Sequence, residues 1–236
     1  MLVQADAAQL EWRTAVFLSN DPVGIQEIND QVDTHSENQK AFELPSRLIA
    51  KVYLFRTIFR GSGWSFANDP DFLHVSDDPD YWDEVNRKFY KKYKGLDKWH
   101  YELASLCAQR KPIVSPFGRE WLILPREDGS LPWTVFSNYP VQGTGADLMM
   151  IARISLHRRM KAMKLRSLLV STVHDSIVVD CVPEEVDTLV ALLYQVFDDL
   201  VANVKKLFGI TLPIPFPCEV KVGPNLLNMK KVAKPY

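Results

Sequence analysis

Apolar and polar residues follow one another along this chain in two rhythms, one suited to strands and one to helices. Leu2-Val3-Gln4-Ala5 is a short apolar run closed by Asp6 and reads as a strand, and Gln9 to Phe17 reads as the start of a helix. Asp21-Pro22 marks a helix entry for a short segment over Val23 to Asn29. Asp33-Thr34-His35-Ser36 reads as a turn or cap, with His35 exposed by the polarity around it. Pro45 suits the first turn of a helix over about Ser46 to Arg60, which Gly61-Ser62-Gly63 ends. The segment 68–83 is rich in Asp and Pro and reads as a loop, and Tyr81 to Ala108 reads as a long helical stretch with Gly95 as its break point.

Further on, Phe117-Gly118-Arg119 reads as a turn between Ile113-Val114 and Trp121-Leu122-Ile123-Leu124. Gln142 to Met163 predicts a strong helix. Leu168 to Asp180 is a hairpin pattern whose tip is the polar triplet His174-Asp175-Ser176. A helix from about Pro183 to Phe208 follows, then a Pro-rich end in which Val220-Lys221-Val222 alternates as a final strand. Strands at the beginning, middle and end, with a mostly helical stretch over 20–111, predict an α+β arrangement: an antiparallel sheet with a helical insertion. No internal repeat and no low-complexity segment interrupts it.

Composition narrows the class. The chain has 236 residues, is 47% hydrophobic and carries a formal net charge of −1, so it can bury a core. A uniformly basic coat for nucleic acid is excluded, while local basic stripes are not. Cys107, Cys181 and Cys218 are widely spaced with no CxxC, which suits reduced core thiols. No apolar stretch approaches the roughly 20 residues of a membrane span, so no membrane partner is expected. No signal peptide precedes the first motif, so a cytoplasmic location is expected, that of the host if the source is a phage.

The candidate chemistry lies at two strand ends and on one helix. Asp6 closes the first strand and Asp175 sits at the hairpin tip. Strand-borne aspartates are hard-oxygen donors for Mg²⁺. A helix N-cap accounts for Asp6 alone equally well, and a turn residue for Asp175 alone. Arg47, Lys51, Phe55 and Phe59 recur every four residues and share one slowly drifting helix face, two cations followed by two aromatics. Cations suit a triphosphate and aromatics suit a sugar and base, although a solvated amphipathic helix would show the same stripe. Arg56 and Arg60 add positive charge that suits a nucleic-acid backbone.

The order of these elements resembles DNA polymerase family A. The family's motif A, close to D-Y-S-Q-I-E-L-R, has its counterpart in Asp6-Ala7-Ala8-Gln9-Leu10-Glu11-Trp12-Arg13. Motif B, R-x3-K-x3-F-x3-Y-G, corresponds to Arg47, Lys51, Phe55 and Phe59, with Gly61 one place late. Motif C, V-H-D-E, corresponds to Val173-His174-Asp175-Ser176. The linking segment N-x-P-V-Q-G-T-x-A-D-L runs from Asn138 to Leu148, and a D-x-H element is present as Asp33-Thr34-His35.

The resemblance implies a right-hand polymerase, with palm at 1–19 and 112–236 and fingers at 20–111; the motif B helix is 46–60 and the motif C hairpin 168–180. It implies template-directed addition of dNTPs to a primer 3′ hydroxyl by phosphoryl transfer at two Mg²⁺ ions held by Asp6 and Asp175. Arg47, Lys51, Phe55, His35, Glu11, Gln9 and Phe59 would form the nucleotide site, with Glu11 crowding the ribose 2′ position. Asn138, Gln142, His174 and Arg119 would meet the primer–template DNA. This sequence departs from the family at Ser176, where a Glu is usual, and at Phe59, where a Tyr hydroxyl usually bonds the motif A Glu. Arg56 stands where a Gly is usual and Thr134 where many members carry an Arg. The motifs begin at residue 6, which leaves no room for the thumb and exonuclease the family places before them. The expectation is half of a split polymerase, its sheet edge bare and its partner a second polypeptide carrying those parts. The rival readings are a single-subunit RNA polymerase-like enzyme, against which Glu11 argues, and a catalytically weak scaffold that binds DNA or a partner, against which retention of both aspartates argues.

Overall fold

The structure, a computed structural model, describes residues 1–236. In chain order its elements are β1 (Leu2–Ala7), α1 (Leu10–Ser19), α2 (Pro22–Asn29), α3 (Thr34–Ala41), α4 (Arg47–Thr57), α5 (Gly63–Ala67), α6 (Pro79–Lys92) and α7 (Lys94–Ala108). Then come β2 (Ile113–Val114), β3 (Glu120–Trp121), α8 (Trp133–Ala162), β4 (Leu168–Val173), β5 (Ser176–Asp180), α9 (Val186–Asp198), α10 (Leu200–Phe208), β6 (Cys218–Gly223) and β7 (Lys230–Val232). They are α+β, as the sequence predicts, and divide into two compact units, 1–10 with 144–236 and 11–143. No helix is long and apolar enough to cross a membrane.

The first unit is built on an antiparallel sheet of order β4-β5-β1-β6-β7. β1 lies at its centre, paired from Leu2↔Asp180 to Asp6↔Ser176 on one side and from Leu2↔Gly223 to Ala7↔Cys218 on the other. Its alternation separates the faces: Val3, Ala5 and Ala7 are buried while Gln4 and Asp6 lie on the more open side. α9 packs on β1 and β6 and brings Leu189, Leu193, Val196 and Phe197 to the core. The strand that carries Asp6 is central and the sheet's edges are β4 and β7; on β4, Leu168, Val170 and Val173 are exposed.

The second unit is a helical cluster around aromatic side chains. Tyr53 on α4 meets Phe42, Phe66, Trp82 and Phe89 at centroid distances of 5.1 to 6.2 Å. Its hydroxyl donates to Asn86 Oδ1 at 2.8 Å, so the buried phenol is not left without a partner. Asp21 links helix ends that are distant in sequence. One carboxylate oxygen caps α2 through Gly24 N–H at 2.9 Å, and the other accepts from Gly95 and Leu96 N–H at 2.6 and 3.2 Å. A Cβ on Gly95 would lie 2.6 Å from Asp21 Cα, so this approach needs glycine.

Several sequence expectations change here. Asp33 stands at the N-cap of a helix over 34–41, so of the turn and cap readings the cap holds, but His35 is buried, at 2% exposure. That segment has no apolar period and is held by the burial of Thr34, His35 and Asn38. The break between α6 and α7 falls at Tyr93 rather than at Gly95. The long helix begins at Trp133, not near Gln142, and runs through Pro140, at the cost of one backbone hydrogen bond. The last helix is two, divided at Asp199, and β7 adds a strand that the Pro-rich end concealed. Arg60 is not a free backbone contact: its guanidinium is 2.6 Å from Asp97 and 4.2, 4.9 and 5.1 Å from the rings of Tyr90, Tyr101 and Trp133. His100 on α7 is fully buried, with Nε2 donating to the Ile58 carbonyl at 3.0 Å.

Asp21→Ala removes a helix cap and strands two further N–H groups. It should lower unfolding free energy by about 3 kcal/mol, read as a lower urea midpoint at unchanged slope. An unshifted midpoint would show that these bonds are replaced by water without loss.

Candidate active site

Asp6 and Asp175 are brought together by backbone geometry. The β4–β5 hairpin turns over His174-Asp175, with His174 in the left-handed region at φ 53°. The Asp175 carbonyl accepts the N–H of Ala7 at 2.9 Å, which ties the hairpin tip to the end of β1. Ser176, paired in register with Asp6, is buried, and its hydroxyl donates to the Val173 carbonyl at 2.9 Å. The residue that stands in place of the usual Glu therefore closes the turn. Gln9 follows β1 at φ 53°, between strand and helix.

The electrostatics of this pair are unfavourable to the folded chain. Burial, then the charge of Asp175, raise the Asp6 carboxyl above its ordinary value; Lys221 lowers it and Glu219 raises it. Lys221 and Glu219 come from β6, register partners of Gln4 and Asp6, and sequence reading did not single them out. Their signal was the strand alternation around Val220. Glu219 is itself paired with Lys231 at 2.7 Å. Two crowded carboxylates are the donor set Mg²⁺ takes, since that ion characteristically uses one or two carboxylates and leaves its remaining positions to water and substrate phosphates. The residues present therefore fit such an ion.

In the second unit, α3 and α4 gather another group. Ser46 caps α4 through Ile49 N–H at 3.2 Å, and Arg47 and Lys51 extend from its first turns as exposed cations. Lys51 Nζ is 6.0 Å from the ring of Phe55, whose other neighbour is His35 at 6.2 Å between centroids. Arg47 is bound through Nε and Nη2 to Asp33 at 2.7 and 3.0 Å. That fork holds the Asp33 carboxyl well below the usual carboxylate range. Burial chiefly, with the charges of Arg47 and Lys51, holds His35 down at about 4, although Asp33 opposes the shift. At neutral pH His35 is an uncharged imidazole. Phe59 lies beyond the end of α4 and is half-buried.

A third group joins α1 and α8 within the same unit. Glu11 lies in the first turn of α1, and its carboxylate accepts from Nε2 of Gln142. Asn138 stands one turn earlier than Gln142 on α8. Arg119 stands just before the return strand of a small hairpin: its N–H donates to Ser115 Oγ at 3.0 Å and its carbonyl accepts from Ser115 N–H at 2.7 Å.

The family model for DNA polymerase family A matches residues 1–228. DNA polymerase I of Chloroflexus aurantiacus is 24% identical over 98% of this chain, which covers 24% of that protein. A DNA polymerase of Bacillus phage SP01 is 22% identical over 95% of this chain and 26% of its own length. The polymerase domain of Pol1 from M. smegmatis, solved with a DNA primer-template and dNTP, superposes with a TM-score of 0.78 at 21% identity over 94% of this chain and 39% of that one. The chain thus spans about a quarter of the curated relatives' length, and the structural likeness establishes the fold.

The position of His35 generates a pH prediction. Its folded pKa lies below its ordinary value of 6.5, so the unfolded chain binds the extra proton first as pH falls. Its contribution to stability is complete above 6.5 and is lost as pH drops toward 4. His100, held down at about 3 chiefly by burial, acts in the same direction. His35→Gln should remove up to about 1.4 kcal/mol per pH unit from the slope of stability over this window. An identical slope in urea unfolding would contradict the neutral assignment.

Proposed function

Because the chain belongs to DNA polymerase family A, we propose that it carries the catalytic part of a DNA-directed DNA polymerase. The observation that carries this reading is the Ala7–Asp175 backbone bond, which sets two aspartates of separate motifs at neighbouring strand ends. We take 1–19 and 112–236 as palm and 20–111 as fingers.

Asp6 and Asp175 would hold two Mg²⁺ ions, which supply activation of the primer hydroxyl and stabilisation of the pyrophosphate leaving group. The rest falls to positioning and charge. Arg47 and Lys51 bind the triphosphate, Arg47 through the guanidinium N–H groups that Asp33 leaves and Lys51 as a point charge. A neutral His35 adds a hydrogen bond without adding charge. Phe55, between Lys51 and His35, packs on the sugar and base, with Phe59 and Gln9 at the margins of the nucleotide site. Glu11 crowds the 2′ position and excludes ribonucleotides. Asn138 and Gln142 meet the minor groove of the primer–template, His174 the primer terminus and Arg119 the duplex backbone.

Processive synthesis on this reading needs a thumb. We propose that a second polypeptide carrying thumb and exonuclease completes the enzyme. The bare β4 edge supports this, with Leu168, Val170 and Val173 at 65%, 53% and 51% exposure; open strands with apolar faces favour pairing with another chain. Three buried cysteines, none in a disulfide, suit a reducing cytoplasm, the host's for a phage protein.

Asp175→Asn should abolish primer extension by the active assembly while circular dichroism stays native, because it removes a metal ligand's charge. Extension at wild-type rate would refute the site. Lys51→Ala should raise the dNTP concentration needed for half-maximal extension by roughly tenfold or more and leave primer–template affinity within about twofold. A loss confined to DNA affinity would place Lys51 against the duplex instead.

A further inference from the structure

Glu11 is a flexible carboxylate on a helix surface, and a steric gate works only if its blocking atoms stay in place. Phe59, at the position of the hydroxyl that braces this Glu in relatives, has no group that can donate. The structure supplies another donor. We propose that Gln142 is the positioning residue for Glu11: its side-chain amide holds the carboxylate in the gate and so sets the discrimination between deoxyribonucleotides and ribonucleotides. This deepens the polymerase reading and rests on it.

Geometry fixes both ends of the bond. Glu11 sits one residue before Trp12, which is fully buried and meets the ring of Tyr93 edge-on at 5.1 Å. The backbone beneath Glu11 therefore does not move freely. Gln142 lies between Val141, fully buried, and Gly143, where a Cβ would run into the Trp121 ring. That close approach presses α8 against β3 and sets the height of Gln142 along the helix. Gln142 Nε2 donates to Glu11 Oε1, and a neutral donor on a carboxylate is a charge-assisted bond. A glutamine amide has two N–H groups and a carbonyl. One N–H on Glu11 leaves the second for minor-groove acceptors, purine N3 or pyrimidine O2. Gln142 can thus hold Glu11 and touch the primer terminus together.

The test uses the active assembly, with the full chain in it, on a dideoxy-terminated primer–template, so that no turnover is required. It measures the ratio of dissociation constants for ATP and dATP, and the affinity for DNA separately. Gln142→Met keeps the side chain's length without its donor and should lower the ATP-to-dATP ratio roughly five- to tenfold. Adding Phe59→Tyr to that variant restores a hydroxyl and should recover most of the ratio. In a Glu11→Ala background, Gln142→Met should change the ratio no further. The side-chain amide resonances of Gln142 should also shift on Glu11→Ala without any ligand. The proposal is overturned if Gln142→Met weakens DNA binding but leaves the ratio intact while Glu11→Ala shifts it, or if the Gln142 resonances ignore Glu11→Ala. A ratio insensitive to Glu11→Ala itself would instead overturn the gate, and a wild-type active assembly that binds neither nucleotide would overturn the polymerase reading.

Discussion

The amide of Ala7 donates to the carbonyl of Asp175 at 2.9 Å, and this bond holds two carboxylates in one another's field. Separate strands would let them relax apart. Here β1 is paired on both flanks, from Leu2 to Asp6 with β5 and from Leu2 to Ala7 with β6. A slip of one residue would send Asp6 into the core and Val3, Ala5 and Ala7 to the open face. The burial of those three apolar residues thus sets where the charge must stand. The ladder keeps Asp6 in a setting that raises its carboxyl's pKa, chiefly by burial and then by Asp175. Sites that store such unfavourable charge are where function is to be looked for.

The second unit solves the opposite problem, assembling cations without letting them drift. Asp33 takes the fork of Arg47, burial keeps His35 neutral beside two positive side chains, and Phe55 lies between His35 and Lys51. The aromatic cluster around Tyr53 and the Asp21 linkage fix α4 and the start of α7 from behind. Rigid backing for a flexible polar surface is the common design of both units.

Much of this was legible in the sequence because it is written in local patterns. The β1 run, the hairpin of β4 and β5 and the motif B helix announce themselves by alternation, turn residues and four-residue spacing. What escaped is held by tertiary contacts. α3 reads Thr-His-Ser-Glu-Asn-Gln-Lys-Ala, with no apolar stripe, and His35 and Asn38 are buried all the same. α8 passes through Pro140 because other contacts outweigh one missing hydrogen bond. The pairing of Asp33 with Arg47, and the approach of Glu11 to Gln142 across 131 residues, follow no local rule. Nor did the sequence reveal that Ser176 closes the turn or that Lys221 and Glu219 act on Asp6.

Thermal melting of the full chain and of Asp6→Asn, each in metal-free buffer and in excess Mg²⁺, tests the central claim most directly. The folded pKa of Asp6 is raised, so its favourable contribution is present at low pH and lost as pH rises through that value. Without metal at neutral pH the Asn variant should therefore melt no lower than the wild type. Added Mg²⁺ should raise the melting temperature of the wild type, because an ion bound only by the folded state stabilises it, and should leave the variant nearly unchanged. Equal Mg²⁺ shifts in both proteins, or none in the wild type, would contradict a metal-holding carboxylate pair at the end of β1.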